Sequence, residues 1–170
     1  MQSAYPIGTS GQPWSAAERA TWLNAQRVRR SYREEVLDAL EGLEGPFELH
    51  RYGALSVDPA RYPLLAVHGP RTPGAPWALV TGGVHGYETS GVQGALAFLA
   101  GEAERYHGRV NLVVAPCVSP WGYEVIHRWN PDAVDPNRSF VPNSPAEESR
   151  ALMNHVRRLD VNFTLHIDLH

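Results

Sequence analysis

Short segments rich in β-forming residues alternate with helical segments along this chain, and this alternation restricts the fold more than any other feature. Each short segment is bounded by Gly or Pro, as strands usually are. Segment 110–115 is continuously apolar, which is typical of a strand buried on both faces. The predicted strands are 47–52, 63–68, 77–81, 110–115 and 161–169. Strands interleaved with helices in this way predict an α/β fold.

Helix-start signals and helical periodicity mark the segments between the strands. Ser15 with Glu18, and Ser31 with Glu34, have the spacing of a capping box, in which hydroxyl and carboxylate each bind a free backbone N–H. Residues 1–14 are rich in Gly, Pro and Ser, which predicts an extended arm. The predicted helices are 15–28, 31–41, 90–99 and one that starts near Ser144, Pro145 and Glu147, with Leu152, Val156 and Leu159 as its apolar stripe.

The last predicted strand alternates strictly between apolar and polar residues, so its two faces differ. Its apolar face consists of Val161, Phe163, Leu165, Ile167 and Leu169. Its polar face consists of Asn162, Thr164, His166, Asp168 and His170. No repeat or linker divides the 170 residues, so we expect one domain, with an arm and N-terminal helices over 1–45 and an α/β core over 46–170.

Composition excludes several function classes. A net charge of −3 gives no general attraction to nucleic acid or to an acidic membrane surface. Cys117 is the only cysteine, which excludes an internal disulfide and a multi-cysteine zinc site. All 15 basic residues are arginine, so Schiff-base chemistry and a phosphate-binding P-loop, which need a lysine, are excluded. No signal peptide or membrane span is evident, and a cytoplasmic location is expected.

The strand 77–81 leads into a glycine-rich segment that contains His85 and Glu88. Glycines on both sides of His85 allow the backbone to turn sharply there. In a helical turn, residues at i and i+3 project from one side, so an imidazole and a carboxylate can reach one metal ion. A turn in which His85 is hydrogen-bonded and Glu88 is solvated fits the same residues, and this motif alone does not decide between the two.

A second motif lies at 127–140, which reads His-Arg-Trp-Asn-Pro-Asp-Ala-Val-Asp-Pro-Asn-Arg-Ser-Phe. A His-x-x-Glu after a Gly-Gly strand end, then an arginine, then Asp-x-Asn-Arg, resembles the motif order of the zinc carboxypeptidase superfamily. Residues 83–88 are similar to its aspartoacylase and succinylglutamate desuccinylase branch, whereas residues 130–140 look more like its peptidases. The resemblance covers about residues 76–170. It implies a three-layer α/β sandwich with a mixed, mostly parallel central sheet.

The resemblance also implies roles for individual residues around a zinc ion (Zn²⁺). His85 and Glu88 match its first two ligands, and Asp135 matches the aspartate that orients the first ligand. Asn137 and Arg138 match the pair that binds the terminal carboxylate of the substrate, a group that a guanidinium binds with two parallel hydrogen bonds. The remaining match is Arg128, for the arginine that stabilises the oxyanion of the tetrahedral intermediate.

A third zinc ligand is expected to be a histidine at the end of a later strand. His166 and His170 both lie on the polar face of the last strand, about 13 Å apart in an extended chain, so one ion cannot bind both. Asp-Leu-His at 168–170 resembles the family's third-ligand motif, which favours His170. Thr-Leu-His at 164–166 keeps His166 as the alternative; otherwise we expect it to be a hydrogen-bonded interior residue. Asp168 is then a partner of the ligand or a polar wall residue.

Five other histidines have no ligand spacing: His50, His68, His107, His127 and His155. Of these, His127 lies near the second motif and is expected to be structural. The family's catalytic glutamate lies beyond the third ligand, and no residue here matches it. We therefore expect the chain to be the N-terminal portion of its domain, incomplete at the C-terminus, and its missing half to be a partner.

The resemblance implies a zinc-dependent carboxypeptidase that hydrolyses C-terminal peptide bonds with a zinc-activated water. One alternative is an amidohydrolase for N-acyl amino acids, of the aspartoacylase type. The other is a zinc-binding fragment without catalytic activity. The expected partners are a peptide or an N-acyl amino acid with a free carboxylate, and neither nucleic acid nor membrane.

Overall fold

The computed structural model of the protein describes residues 7–170, with a five-stranded mixed sheet at the centre. Its strands are β1 Glu48–Ala54, β2 Pro63–His68, β3 Trp77–Thr81, β4 Asn111–Ala115 and β5 Phe163–Asp168. Strands β3, β4 and β5 are parallel, whereas β1 pairs antiparallel with β2, and β2 pairs antiparallel with β4. The spatial order is β1-β2-β4-β3-β5. The predicted mixed α/β sheet is thus confirmed.

Helices cover both faces of the sheet because its central strands are apolar on both sides. The helices are α1 Ala16–Ala25, α2 Asp38–Glu41, α3 Thr89–Gly101, α4 Pro120–Val125 and α5 Glu147–Arg158. A π-helical turn Arg33–Leu37 and 3₁₀ turns Ala103–Tyr106 and Pro136–Arg138 complete them. On one face of β4, Leu112 and Val114 pack with α1 to α4, whereas Val113 packs on the opposite face with Leu152 of α5.

The N-terminal helices differ in part from the predicted ones. The capping box of Ser15 and Glu18 is present, but α1 ends at Ala25, where Gln26 is already extended. The predicted helix 31–41 contains a π-helical turn before α2, and of the second capping box the bond from Glu34 N–H to Ser31 Oγ is present at 3.1 Å. Residues 1–6 of the predicted arm lie outside the described residues.

Strand β5 lies at the edge of the sheet and is much more exposed than β3, the strand with which it pairs. Four of the five residues of β3 are buried, whereas Leu165 of β5 is 51% exposed. An apolar face at an unpaired edge is a surface that another strand or helix commonly covers. No helix among residues 7–170 is both long and apolar enough to cross a membrane.

Candidate metal centre

The loop that follows β3 is compact because its glycines allow close contact with neighbouring backbone. Gly83 has a φ of +59°, a conformation that a side chain would strain. A Cβ at Gly86 would lie 2.0 Å from the backbone nitrogen of Tyr123 in α4, so only glycine fits there. The hydroxyl of Ser119 donates to the Val84 carbonyl at 2.7 Å. These contacts fix the backbone on both sides of His85.

His85 is buried, and its two ring nitrogens have carboxylate neighbours. Nδ1 lies 3.3 Å from Oε1 of Glu88, and Nε2 lies 2.8 Å from Oδ1 of Asp135. The second contact fixes the ring orientation and directs Nδ1 towards Glu88. An imidazole that donates one N–H to a carboxylate and offers its other nitrogen is the usual state of a metal-binding histidine.

His170 reaches the same point from the end of β5. Asp168 of β5 pairs in register with Thr81 at the end of β3, so the residues after these strands lie side by side. The backbone then closes tightly: Gly83 N–H donates to the His170 carbonyl at 2.6 Å. His85, Glu88 and His170 each offer a donor atom within 4.8 Å of the other two, the single such group among residues 7–170. These three residues are called the metal centre below.

His166 lies apart from the metal centre, which leaves His170 as the histidine that joins His85 and Glu88. The Nε2 atom of His166 lies 3.0 Å from the Thr81 hydroxyl. The prediction that His166 is hydrogen-bonded is correct, but the prediction that it is interior is wrong, because the residue is exposed. The reason is that β5 is an edge strand with little packed on either face.

Asp168 holds the ring of His170 in place. Its Oδ2 lies 2.9 Å from Nδ1 of His170, and its Oδ1 accepts the Thr81 hydroxyl at 2.8 Å. Partial burial acts to raise the pKa of Asp168, but the hydrogen bonds from His170 and Thr81 outweigh it and leave the pKa below its ordinary value. Asp168 is therefore a charged partner of His170.

Asp135 connects His85 to the second motif. Its Oδ2 accepts from Nε and Nη2 of Arg128 at 3.1 and 3.0 Å, while Oδ1 faces His85 and also accepts the Asn137 backbone N–H at 3.0 Å. Burial acts to raise the pKa of Asp135, yet the bonds from His85 and Arg128 hold it below its ordinary value. Asp135 is a carboxylate that fixes both the histidine and the arginine.

Asn137 and Arg138 occupy the 3₁₀ turn that follows Asp135. The side-chain nitrogen Nδ2 of Asn137 lies 3.5 Å from Nε2 of His170, so this amide borders the metal centre. Arg138 is exposed, and no partner for its guanidinium is present among residues 7–170. A cavity of about 460 Å³ begins beside Asn137 and Asp168 and extends along Leu152 and Phe140.

Arg30 supports the metal centre and was missed by the sequence analysis. It donates from Nε to the Tyr123 carbonyl at 2.6 Å and from Nη2 to the Gly86 carbonyl at 2.8 Å, and it also bonds the Thr89 hydroxyl. Its guanidinium lies 3.5 Å from the centre of the Tyr123 ring. No local motif marks Arg30, because its partners lie more than 50 residues away in the sequence.

Solved structures similar to this chain include metallopeptidases. No protein-family model matches the sequence, and no curated protein matches it. Among solved structures, a candidate metallopeptidase of Shewanella amazonensis superposes with a TM-score of 0.63 at 28% identity. The match covers 80% of this chain and 57% of the metallopeptidase chain. A second candidate metallopeptidase, of Shewanella baltica, superposes with a TM-score of 0.60 at 27% identity. The match covers 73% of this chain and 47% of that chain.

A metallo-carboxypeptidase of Burkholderia cenocepacia has the same fold, with a TM-score of 0.58 at 17% identity. The match covers 92% of this chain and 40% of the carboxypeptidase chain. Of these three neighbours, the chain thus spans 57%, 47% and 40% of their own lengths. All three neighbours carry names of metal-dependent peptidases. The resemblance of this chain to the zinc carboxypeptidase superfamily, which its two motifs indicate, is confirmed by its fold and by these neighbours.

Proposed function

We propose that the protein acts in a zinc-dependent metallocarboxypeptidase that hydrolyses C-terminal peptide bonds. The observation that carries this proposal is the convergence of His85, Glu88 and His170 within 4.8 Å, beside a motif with two arginines. Two imidazole nitrogens and one carboxylate are the donor set of zinc peptidases, which leave a further position on zinc open for water. The donors of the metal centre therefore fit zinc. When bound, zinc lowers the pKa of its water and polarises a carbonyl.

The surrounding side chains have separate tasks in this proposal. Asp135 keeps His85 in the tautomer that offers Nδ1, and Asp168 orients His170. Arg138 and Asn137 bind the free carboxylate of the substrate, because a planar guanidinium suits a carboxylate and this one is exposed. Arg128 stabilises the developing oxyanion, and its Nη1 takes no part in the pair with Asp135.

A general base is not supplied by the carboxylates at this site. Glu88, Asp135 and Asp168 are each paired with a histidine, and Asp135 also with Arg128. General base catalysis contributes about 10²–10⁴-fold. We therefore expect the 170-residue chain, loaded with zinc, to bind substrate but to turn it over very slowly. Rapid hydrolysis of a peptide by this chain alone would contradict the assignment of these carboxylates, and Asp168→Asn would be the first variant to make.

The carboxypeptidase proposal is tested by substrate carboxylate recognition. The probe is an N-blocked dipeptide, and its binding to the zinc-loaded chain is measured by calorimetry with a free and with an amidated C-terminus. We expect Arg138→Ala to weaken binding of the free acid at least tenfold and to leave the amide, already weak, almost unchanged. Arg150→Ala, which removes an arginine of α5 outside the motif, is the control. Equal losses for acid and amide would show that Arg138 does not recognise the carboxylate.

An N-acyl amino acid amidohydrolase is a second candidate, favoured by the similarity of residues 83–88 to the aspartoacylase branch. The same arginines would then bind a small amino acid rather than the end of a peptide. The two candidates differ in ligand length, so the binding of N-acetylated single amino acids is compared with that of tetrapeptides. Preference for the longer ligand supports the peptidase, and exclusion of it supports the amidohydrolase.

A further inference from the structure

Three histidines from three different elements meet on the face of the sheet that α5 covers. His50 comes from β1, His68 from the end of β2 and His155 from α5. Nε2 of His68 lies 3.0 Å from Nε2 of His155, and the ring of His50 stacks on that of His68 at 4.0 Å between centres. These three residues are called the histidine cluster. A cavity of about 240 Å³ borders His50 and His68.

The closest pair of nitrogens has the spacing that a shared metal ion requires. Two nitrogens bound to zinc at roughly 2.0–2.1 Å in a tetrahedral arrangement stand about 3.3 Å apart. The 3.0 Å separation of His68 and His155 lies near this value. An imidazole–imidazole hydrogen bond has a similar length, so the separation alone fits either state. A third histidine with its own carboxylate partner is the further feature that favours a metal site.

His50 supplies that further feature. Its Nε2 lies 3.2 Å from Oε2 of Glu48, two residues earlier on the same face of β1. A carboxylate on one nitrogen of a histidine leaves the other nitrogen for a metal, the arrangement that Asp135 and His85 have in the metal centre. The donor atoms of the three histidines do not all lie within 4.8 Å of one another, because the ring of His50 is stacked on that of His68. His50 must therefore tilt its ring before all three nitrogens face one ion, and the χ2 torsion of histidine is soft enough to permit this.

The environment favours the uncharged form of two of these imidazoles, which is the form that binds metal. Burial, together with His50 and His155, lowers the pKa of His68 to about 4. Burial, with His50 and Arg158, also holds the pKa of His155 below its ordinary value. The closest pair of the histidine cluster is therefore ready to bind an ion without first losing a proton.

We propose that the histidine cluster is a second binding site for a divalent transition-metal ion. Its ligands are His50, His68 and His155, and Glu48 orients His50. Imidazole nitrogen favours zinc, copper and nickel over magnesium or calcium, which prefer oxygen. The site ties β1 and β2 to α5, so the bound ion stabilises the packing of that helix on the sheet.

The histidine cluster is separate from the metal centre. His68 pairs with Val113 in the middle of β4, and β4 separates β2 from β3. At about 4.8 Å between neighbouring strands, β2 and β3 lie roughly 10 Å apart. The metal centre lies farther along, after the carboxyl end of β3. An ion in one site therefore has no ligand in common with an ion in the other.

The test measures zinc stoichiometry by equilibrium dialysis against Zn²⁺ and elemental analysis of the full chain. We expect two ions per wild-type chain, one for His155→Gln, one for His85→Ala, and none for the double variant. His107→Gln, whose ring packs against Phe47, is the control and should keep two. X-ray absorption at the zinc edge of His85→Ala should then show about three imidazole ligands.

The variants also separate failure of this proposal from failure of the proposed function. One zinc in the wild type that is lost in His85→Ala and kept in His155→Gln overturns the second site and leaves the metal centre intact. One zinc in the wild type that persists in His85→Ala and disappears in His155→Gln overturns the metal centre and leaves the second site intact. Circular dichroism checks folding, and His68→Gln replaces His155→Gln should the latter unfold; two ions bound to folded His68→Gln also overturn the second site.

Discussion

The metal centre and the histidine cluster differ in how the sequence encodes them. Two of the three residues of the metal centre stand three positions apart in one glycine-rich loop, and the third ends a strand. The members of the histidine cluster are 18 and 87 residues apart, in β1, β2 and α5. The first group is recognisable from local spacing. The second exists only after β1 and β2 pair and α5 packs across them.

This difference teaches that short-range spacing detects a site only where one turn carries most of its donors. His85 and Glu88 are neighbours in any compact turn, so their chemistry is visible before the fold is known. His50 and His68 become neighbours through the register that pairs Glu48 with His68. For this reason no ligand spacing marks these two histidines in the sequence. The following predictions separate the two groups, beginning with the largest expected effect.

Gly91→Ala should disrupt the metal centre and leave the histidine cluster intact. A Cβ at Gly91 would lie 2.3 Å from the His170 carbonyl oxygen, so the end of β5 must move. Overpacking typically costs about 1–3 kcal/mol, and contact with backbone cannot be relieved by a rotamer change, so we expect about 3 kcal/mol or more. Urea unfolding and zinc content measure both effects, with one zinc remaining.

Gly94→Ala is the matched control for that prediction, since both glycines lie in α3. Its Cβ would be 3.7 Å from a methyl group of Leu169, an ordinary contact. Replacing a helical glycine with alanine stabilises by up to about 1 kcal/mol. Equal destabilisation by both substitutions would show that the close approach at Gly91 is not what positions His170.

Glu148 links the two regions and should make stability depend on pH. It lies in the first turn of α5, the helix that contains His155. Its Oε2 accepts a hydrogen bond at 3.2 Å from Asn130, which anchors the loop before Asp135. Burial raises the pKa of Glu148 to about 7, while Oε1 has no hydrogen-bond partner among residues 7–170. The folded state binds the carboxyl proton of Glu148 more tightly than the unfolded state does. The stability that this proton contributes is therefore complete below about pH 4.5 and is lost as pH rises through about 7.

At roughly 1.36 kcal/mol per pKa unit, the loss is at most about 3 kcal/mol. Glu148→Gln cannot ionise and keeps an acceptor for Asn130, so its stability should be flatter than that of the wild type between pH 5 and 8. The measurement is the difference between the two urea unfolding curves at each pH, which cancels other titrating groups. A difference that stays constant with pH would contradict a buried, protonated Glu148.

Asp135→Asn should weaken zinc binding at the metal centre without removing any ligand. An amide cannot stabilise the His85 imidazole as a carboxylate does, and loss of such partners typically costs about 10–100-fold in metal affinity. Competition with a chromophoric chelator measures the change. Asp132→Asn, an exposed aspartate of the same loop, is the control. Unchanged zinc affinity in Asp135→Asn would mean that this carboxylate serves Arg128 alone.

Ser15→Ala should have the smallest effect, on stability alone. Its hydroxyl accepts the Ala17 N–H at 3.2 Å in the capping box of α1. Loss of an N-cap costs about 0.5–2 kcal/mol. Both groups of histidines lie outside α1, so two zinc ions should remain. Loss of either ion in a folded Ser15→Ala protein would show that metal binding follows general stability and not the local geometry described above.

Much of the fold could be predicted because its signals are local. The bounds of β2 and β3 match the predicted segments. Leu152 and Val156 of α5, and Leu159 directly after it, do pack on the sheet. Two features were missed because their causes are tertiary. The π-helical turn at 33–37 interrupts a capped helix. The N-cap residue of α4, Ser119, donates its hydroxyl to the Val84 carbonyl and does not cap the helix, whose six residues are all buried.

The candidate site was predicted in part for the same reason. The two motifs indicated Asp135 and Asn137, and both border the metal centre in the structure; the roles of all these residues as ligands and substrate contacts stay predictions. Arg30 could not be found, because a single arginine in an N-terminal segment carries no pattern. Nor could the exposure of His166 be foreseen, since alternation in a strand does not reveal whether that strand lies at an edge.

The central claim is that His85, Glu88 and His170 bind one zinc ion, and zinc occupancy without the histidine cluster tests it most directly. In His155→Gln, equilibrium dialysis should give one zinc per chain, bound through two imidazoles and one carboxylate at the zinc edge. Adding His85→Ala or Glu88→Ala to His155→Gln should reduce occupancy to zero. One zinc per chain retained in both double variants, with the protein folded, would contradict the account.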